Sequence, residues 1–271
     1  MKALIIVSLV VLALGIGAFF LLTPKAPTPA ILYVESGAVE VDTGNGWSVA
    51  TNEMALHQGD QIRTLEGKAT VVILEGEFVS LSLNSHIVLE TIGSKNVKVT
   101  QLAGETWNKI SKLSGIIEFS TGTPTTVATV RGTEYIMTMM QLFVDEGLVD
   151  FEDINTSQSA QVGAEQKISI DEFVAQQFTD EDRARFAEHH EEYVDVLRQL
   201  RWREILKHTA LLTLAETKGI TQEQIKVGLL EVDEGKRNED ELYAQVPSVF
   251  KSRAQRTYEL TKLIKAALNE A

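Results

Sequence analysis

Cysteine is absent from the 271 residues, which removes disulfides, thiolate nucleophiles and cysteine-ligated metal centres together. Positive charge is scarce: 25 Lys and Arg stand against 38 Asp and Glu, a formal net charge of −13. A surface of that sign repels phosphate backbones and anionic headgroups. Nucleic acid is therefore not an expected partner, and membrane contact has to come from insertion rather than from a basic face. Proline is rare as well, and three of the five prolines (Pro24, Pro27, Pro29) fall close together. The sequence contains no G-x-S-x-G, no H-E-x-x-H, no Walker loop and no G-x-G-x-x-G. The expectation is a non-enzyme with no catalytic residue, no cofactor and no metal.

What is present begins with an uncharged run, Ala3 to Leu22, interrupted only by Ser8, Gly15 and Gly17. Twenty residues at roughly 1.5 Å rise span about 30 Å, the thickness of a bilayer core. A cleaved signal peptide has a shorter apolar region and a small-residue cleavage site. Here bulky Phe19, Phe20, Leu21 and Leu22 close the run. An uncleaved single-pass anchor over residues 1–22 is the expectation and a cleaved signal the alternative. Lys2 before the run and Lys25 after it lean toward a cytoplasmic N-terminus with the bulk of the chain outside. Residues 23–30, with their three prolines, favour an extended polyproline spacer of about 20–25 Å.

From Ile31 the pattern becomes that of short strands. Ala38 to Asp42, Val79 to Leu83 and Val97 to Thr100 alternate apolar and polar residues, and Ala69 to Leu74 is a denser β-branched run. Period-2 alternation buries one strand face. Turn signals at Thr43–Gly46, Gly59–Asp60, Glu66–Gly67, Glu75–Gly76, Asn84–Ser85, Gly93–Ser94 and Gly122 punctuate the runs. The pattern predicts an all-β, antiparallel sandwich or roll over residues 31–170. No repeat of fixed period is evident, which makes a regular solenoid the second choice.

These segments carry a resemblance. Gly37 to Val41, Trp47 to Ala50, Leu56 to Thr64, Gly67 to Leu74, Phe78 to Leu81 and Asn84 to Glu90 follow in the order of a FecR domain. Leu102 to Trp107 resembles the family's L-x-x-G-x-x-W step. Phe119 to Thr133 is the most specific piece, and Val144 to Val149 and Gly163 to Gln166 are similar to the closing strands. The resemblance covers residues 31–170 and implies an extracytoplasmic β domain. In the family such a domain can relay an envelope signal to a sigma factor through a cytoplasmic N-terminal segment. Only Met1 and Lys2 precede the apolar run, so that role is not carried over. The expectation is a binding, sensing or scaffold module, with an anti-sigma-type transducer or an envelope-acting enzyme as alternatives.

The family-motif residues are Gly59, Asp60, Arg63 and Thr64, and Arg131, Gly132 and Thr133. Glycine supplies corners and Asp60 can accept backbone N–H groups in a turn. Arg131 follows apolar neighbours, so its guanidinium is expected to bond carbonyls or a carboxylate inside the fold. A functional alternative has Arg63 and Arg131 binding an anion. Trp47 and Trp107 read as packing residues, with a sugar-stacking platform as the alternative.

After Ile170 the composition shifts to Glu, Gln, Arg, Leu and Ala, and residues 171–271 read as three or four helices. Thr179 with Asp182 resembles a capping box, Gly219 a stop, Thr221 an N-cap, and Phe250, Ala254, Tyr258, Ile264 and Leu268 one apolar face. A self-contained bundle is expected. The alternatives are a layer on the β domain or an arm for a partner's helix. His57 and His86 have no evident partner, and Glu188 to Glu192 reads as a solvated helix face rather than a metal site. The whole is an α+β, multi-part chain. Its expected partners are the membrane, through a single pass, and another envelope protein or polymer. The oligomeric state stays open.

Overall fold

A computed structural model describes residues 30–74, 76–111, 117–244, 246 and 248–270. Seven long strands, each bent in the middle, run through two sheets. β1 (Ala30–Ser36) turns into β2 (Val39–Asp42), β5 (Gln61–Thr64) into β6 (Lys68–Ile73), and β7 (Glu77–Leu81) into β8 (His86–Ile92). β9 (Asn96–Ala103) turns into β10 (Glu105–Ile110), and β12 (Thr126–Val130) into β13 (Glu134–Thr138). β14 (Gln141–Glu146) and β15 (Leu148–Asp153), then β16 (Gln158–Gly163) and β17 (Gln166–Ser169), complete the set. One half of each bent strand lies in a middle sheet of order β18-β17-β14-β13-β10-β7-β6-β1-β4. The other half lies in an outer sheet of order β16-β15-β12-β11-β9-β8-β5-β2-β3. The short strands β3 (Trp47–Val49), β4 (Met54–Leu56) and β18 (Gln176–Gln177) sit at sheet margins, and β11 (Glu118–Gly122) is inserted in the outer sheet.

Glycine makes most of the bends possible, and at the corner from β7 to β8 Asn84 takes the positive φ, +55°. At the corner shared by the first two bent strands, Gly37 adopts a φ of +62°. A Cβ there would collide with the Glu66 carbonyl oxygen, and one on Gly67 with the Ser36 carbonyl oxygen. The two backbones cross at a separation that only glycine allows.

Two features of the expected fold class are corrected. The sandwich is not wholly antiparallel, because β11 pairs parallel with β9, Phe119 opposite Val97 and Thr121 opposite Val99. The chain leaves the middle sheet after β10 and re-enters the outer sheet beside β9 in the same direction. Alternation in a sequence carries no strand direction, so this was not readable. Second, no helix among the described residues is long and apolar enough to cross a membrane. The expected span, residues 3–22, lies outside the described residues, and Ala30, assigned to the spacer, opens β1. The fold described is two large sheets followed by a helical C-terminal part.

That part comprises α1 (Asp180–Leu206), α2 (Thr209–Thr217), α3 (Gln222–Asp233), α4 (Glu239–Ala244) and α5 (Ser248–Glu270). The capping box at Thr179 forms as its sequence suggests: the Thr179 N–H donates to Asp182 at 2.7 Å, and the Asp182 N–H to Thr179 Oγ1 at 3.3 Å. Thr221 and Gln224 repeat it at the start of α3. On α5 the buried face is Leu260, Ile264 and Ala267, while Leu268 is partly exposed.

The layers enclose two cores. Between the sheets lie Leu32, Val41, Ile62, Val71, Leu81, Leu89, Val99, Phe119, Tyr135 and Phe151. Between the middle sheet and the helices lie Tyr33, Val72, Phe78, Trp107, Ile136 and Phe143, packed with Phe186, Tyr193, Leu197, Leu200, Leu260 and Ile264. Complete burial of one such side chain contributes roughly 1.5–3 kcal/mol, so the second core fastens α1 and α5 to the sheet. α1 and α5 form a third layer on the β domain, so the tail is not a self-contained bundle.

Candidate functional site

Polar side chains gather in two places, one closed and one open. The closed one is the seam between the middle sheet and α1. Asp182, Arg185, His189 and Glu192 recur at helical spacing on one face of α1. Lys167 Nζ donates to Asp182 Oδ2 at 2.8 Å, Arg185 pairs with Glu105, and Lys68 Nζ reaches Glu192 at 2.6 Å. At the centre, the buried Glu134 carboxylate accepts the Trp107 indole N–H at 3.1 Å and Lys109 Nζ at 2.6 Å, and lies 3.1 Å from His190 Nε2. The His189 ring stacks on Trp107 at 5.7 Å.

Burial alone would raise the Glu134 carboxyl. The hydrogen bond from His190 and the charge of Lys109 overcome it and hold the group below the ordinary carboxylate range. Burial likewise opposes His189 and Lys68 at Glu192, which is also held low. Glu35 behaves oppositely. Burial, reinforced by the charges of Glu192 and Asp195, outweighs the Thr70 hydrogen bond and the Lys68 charge, and pushes it to about 7. The face of α1 read as solvated is therefore half of an interface, with His189 6% exposed. Trp107 is fully buried there, so it cannot serve as a sugar platform. No group of three or more His, Asp or Glu among the described residues is arranged to hold a metal ion. What the seam does chemically is orient α1 on the sheet.

The motif residues divide between corner-making and display. Gly59, with φ +94°, donates its N–H to the Leu89 carbonyl at 2.7 Å. Asp60 is buried, and its carboxylate accepts the His57 N–H at 2.8 Å. Thr64 Oγ1 donates to the Ser82 carbonyl at 2.6 Å and accepts the Ser85 N–H at 2.9 Å, which ties β5 to the corner of the next bent strand. Gly132, with φ +66°, and Thr133 form the corner from β12 to β13, where the Thr133 carbonyl accepts the Ile110 N–H at 2.9 Å. Arg131 is exposed at that corner, not bonded inside the fold as expected. The polypeptide turns there, and the residue that follows the last inward position, Val130, points out. Arg63 and Arg131 do not converge. Their strands, β5 and β12, are four steps apart in the outer sheet, roughly 19 Å at about 4.8 Å per step.

The open group surrounds Arg63 on the outer face of the outer sheet. The register places Glu40, Arg63 and His86 opposite one another on β2, β5 and β8. Arg63 Nε donates to Glu40 Oε2 at 2.7 Å, and its guanidinium lies over the Trp47 ring at 4.1 Å from the centroid. The His86 ring meets Trp47 edge-on at 5.3 Å, and His86 Nε2 lies 3.0 Å from Gln61 Oε1. Burial, then the neighbouring Arg63 charge, lowers the His86 pKa. The result is a preordered patch of one indole, one imidazole, one guanidinium, one carboxylate and one amide. Period-2 spacing of Gln61 with Arg63 and of Glu40 with Asp42 was the available signal. The partner strand of each residue was not readable, so His86 appeared isolated.

No family model matches the chain, and no curated protein does. Solved structures similar to it include two crystal structures, at 2.50 and 1.65 Å, of a candidate anti-sigma factor from Parabacteroides distasonis ATCC 8503. Each is 14% identical with a TM-score of 0.38, and the alignment covers 44% of this chain and 59% of the other. The match thus spans less than two thirds of those chains.

Proposed function

We propose that the chain is a binding, sensing or scaffold module of the FecR-domain type, without catalytic activity, that engages another envelope protein or polymer outside the cytoplasm. One observation carries this reading. Among the described residues the middle sheet is covered on both faces, while the outer sheet leaves one face bare and displays on it the ordered Trp47–Arg63–Glu40 patch, built on a family-motif residue. A preordered aromatic and arginine pair loses little entropy on binding, which is why such pairs anchor interfaces. The resemblance over residues 31–170 supports the family, and the apolar run at residues 3–22 supports the location. A photocrosslinker placed at Val49, 78% exposed beside the patch, is expected to capture a partner in intact cells. Trp47→Ala combined with Arg63→Ala should abolish capture while the protein stays folded, with only a small fall in melting temperature. Capture only from positions on the helices would overturn the reading. An anti-sigma transducer is a finer version of the proposal, for which recovery of a sigma factor with the full-length chain is the test.

A further inference from the structure

The two sheets have four edges, and three are blunted. β4 and β3 are three residues long and β18 two. The fourth edge, β16, is six residues long with the sequence QSAQVG, carries no charge and no proline, and keeps an unbroken register with β15. A six-residue edge without charge or proline is what folded proteins ordinarily avoid, because free N–H and C=O groups template another strand. Beside it on the outer face lie Asp150 and Glu152, both exposed on β15, and a depression of about 220 Å³ lined in part by Val127, Thr129, Glu152 and Ser159. Ser159 is paired with Glu152 across the ladder, and its side chain is too short to cover that carboxylate.

From this edge and its flanking acids we infer that β16 is a strand-addition site for an extended segment of a partner protein in which basic and apolar residues alternate. The added strand would pair its backbone with β16. Its basic side chains would cross Ser159 toward Glu152 and join Gln161, whose amide already donates to Asp150 Oδ1 at 2.9 Å, and its apolar ones would turn inward beside Ala160 and Val162. The charge argument selects a basic segment over a second copy of this chain, whose own β16 brings no cation and whose net charge is −13. The site lies at the opposite end of the outer sheet from Trp47, so its failure would leave the proposal about that patch standing.

The test uses a soluble Lys–Val alternating hexapeptide, with a Glu–Val peptide and a proline-interrupted Lys–Val peptide as controls. Saturable binding of the Lys–Val peptide alone is expected, with new amide protection confined to 158–163 and affinity that falls with salt. Asp150→Lys with Glu152→Lys, two outward substitutions, should weaken that peptide by about tenfold or more and admit the Glu–Val peptide. No saturable binding at millimolar peptide, protection elsewhere, indifference to the charge reversal, or protection of 158–163 by self-association instead would each overturn the inference.

Discussion

The middle and outer sheets share seven bent strands, yet the halves of those strands obey different rules. In the outer sheet β2, β9 and β15 alternate buried and open residues, because one face meets the core and the other meets water. In the middle sheet all five residues of β7, and the last five of β6, are buried. The same chain crosses from one regime to the other within a few residues, at Gly67 between β5 and β6 and at Asn84 between β7 and β8. Burial pattern is thus set by the layer that covers a strand and not by the strand itself. The helical tail accounts for the difference.

The comparison is tested most severely by its two tryptophans. Trp107, in the middle sheet, is fully enclosed between Glu134, His189 and Tyr193. Trp107→Ala should lose about 3–5 kcal/mol of stability in denaturant titration. Trp47→Ala in the outer sheet should lose no more than about 1 kcal/mol and act on binding instead. Equal losses would mean that the two outward faces do not differ.

A pH experiment sharpens the same contrast. Glu35 binds its proton more tightly in the folded chain than in the unfolded one, since its pKa rises from 4.5 to about 7. Its contribution to stability is therefore complete below about pH 4.5 and is lost as pH climbs through 7. Glu35→Gln should stabilise the protein by roughly 1–3 kcal/mol at pH 8 and leave it nearly unchanged at pH 4.5. Glu134 and Glu192, held low, act in the opposite sense, and their contribution disappears in acid below the ordinary carboxylate range. A flat difference between wild type and Glu35→Gln across that range would remove the buried seam from the account.

The smallest effect is expected at Arg131. Because it is exposed at a corner, Arg131→Ala should shift stability by no more than about 0.5 kcal/mol. An unfolded variant would show that the guanidinium is bonded inward after all.

Much of the outer sheet was legible. Alternation in Val97 to Thr100 and the turn at Gly59–Asp60 describe a half-buried strand and its corner, since both signals are local. The caps at Thr179 and Thr221 were readable for the same reason. The middle sheet was legible as strands but not as a doubly covered layer. A dense run such as Ala69 to Leu74 fits either a covered sheet or a sandwich core, and which one applies depends on contacts such as Lys68 with Glu192, 124 residues apart. Those contacts also hid the role of His189 and His190, whose helix face looks solvated until the sheet is placed beneath it. The candidate patch was half legible. Arg63 stood out in its motif, but Trp47 and His86 reach it only through the β2–β3 and β5–β8 pairings.

The absence of cysteine makes the central claim directly measurable. Single cysteines at Ile136, on the helix-facing side of the middle sheet, and at Lys98, on the outer face of the outer sheet, can be reacted with a thiol reagent in the native protein. Ile136→Cys should stay protected until the chain unfolds, whereas Lys98→Cys should react at the rate of an unstructured peptide. Equally fast reaction at both positions would show that the helices do not cover the middle sheet.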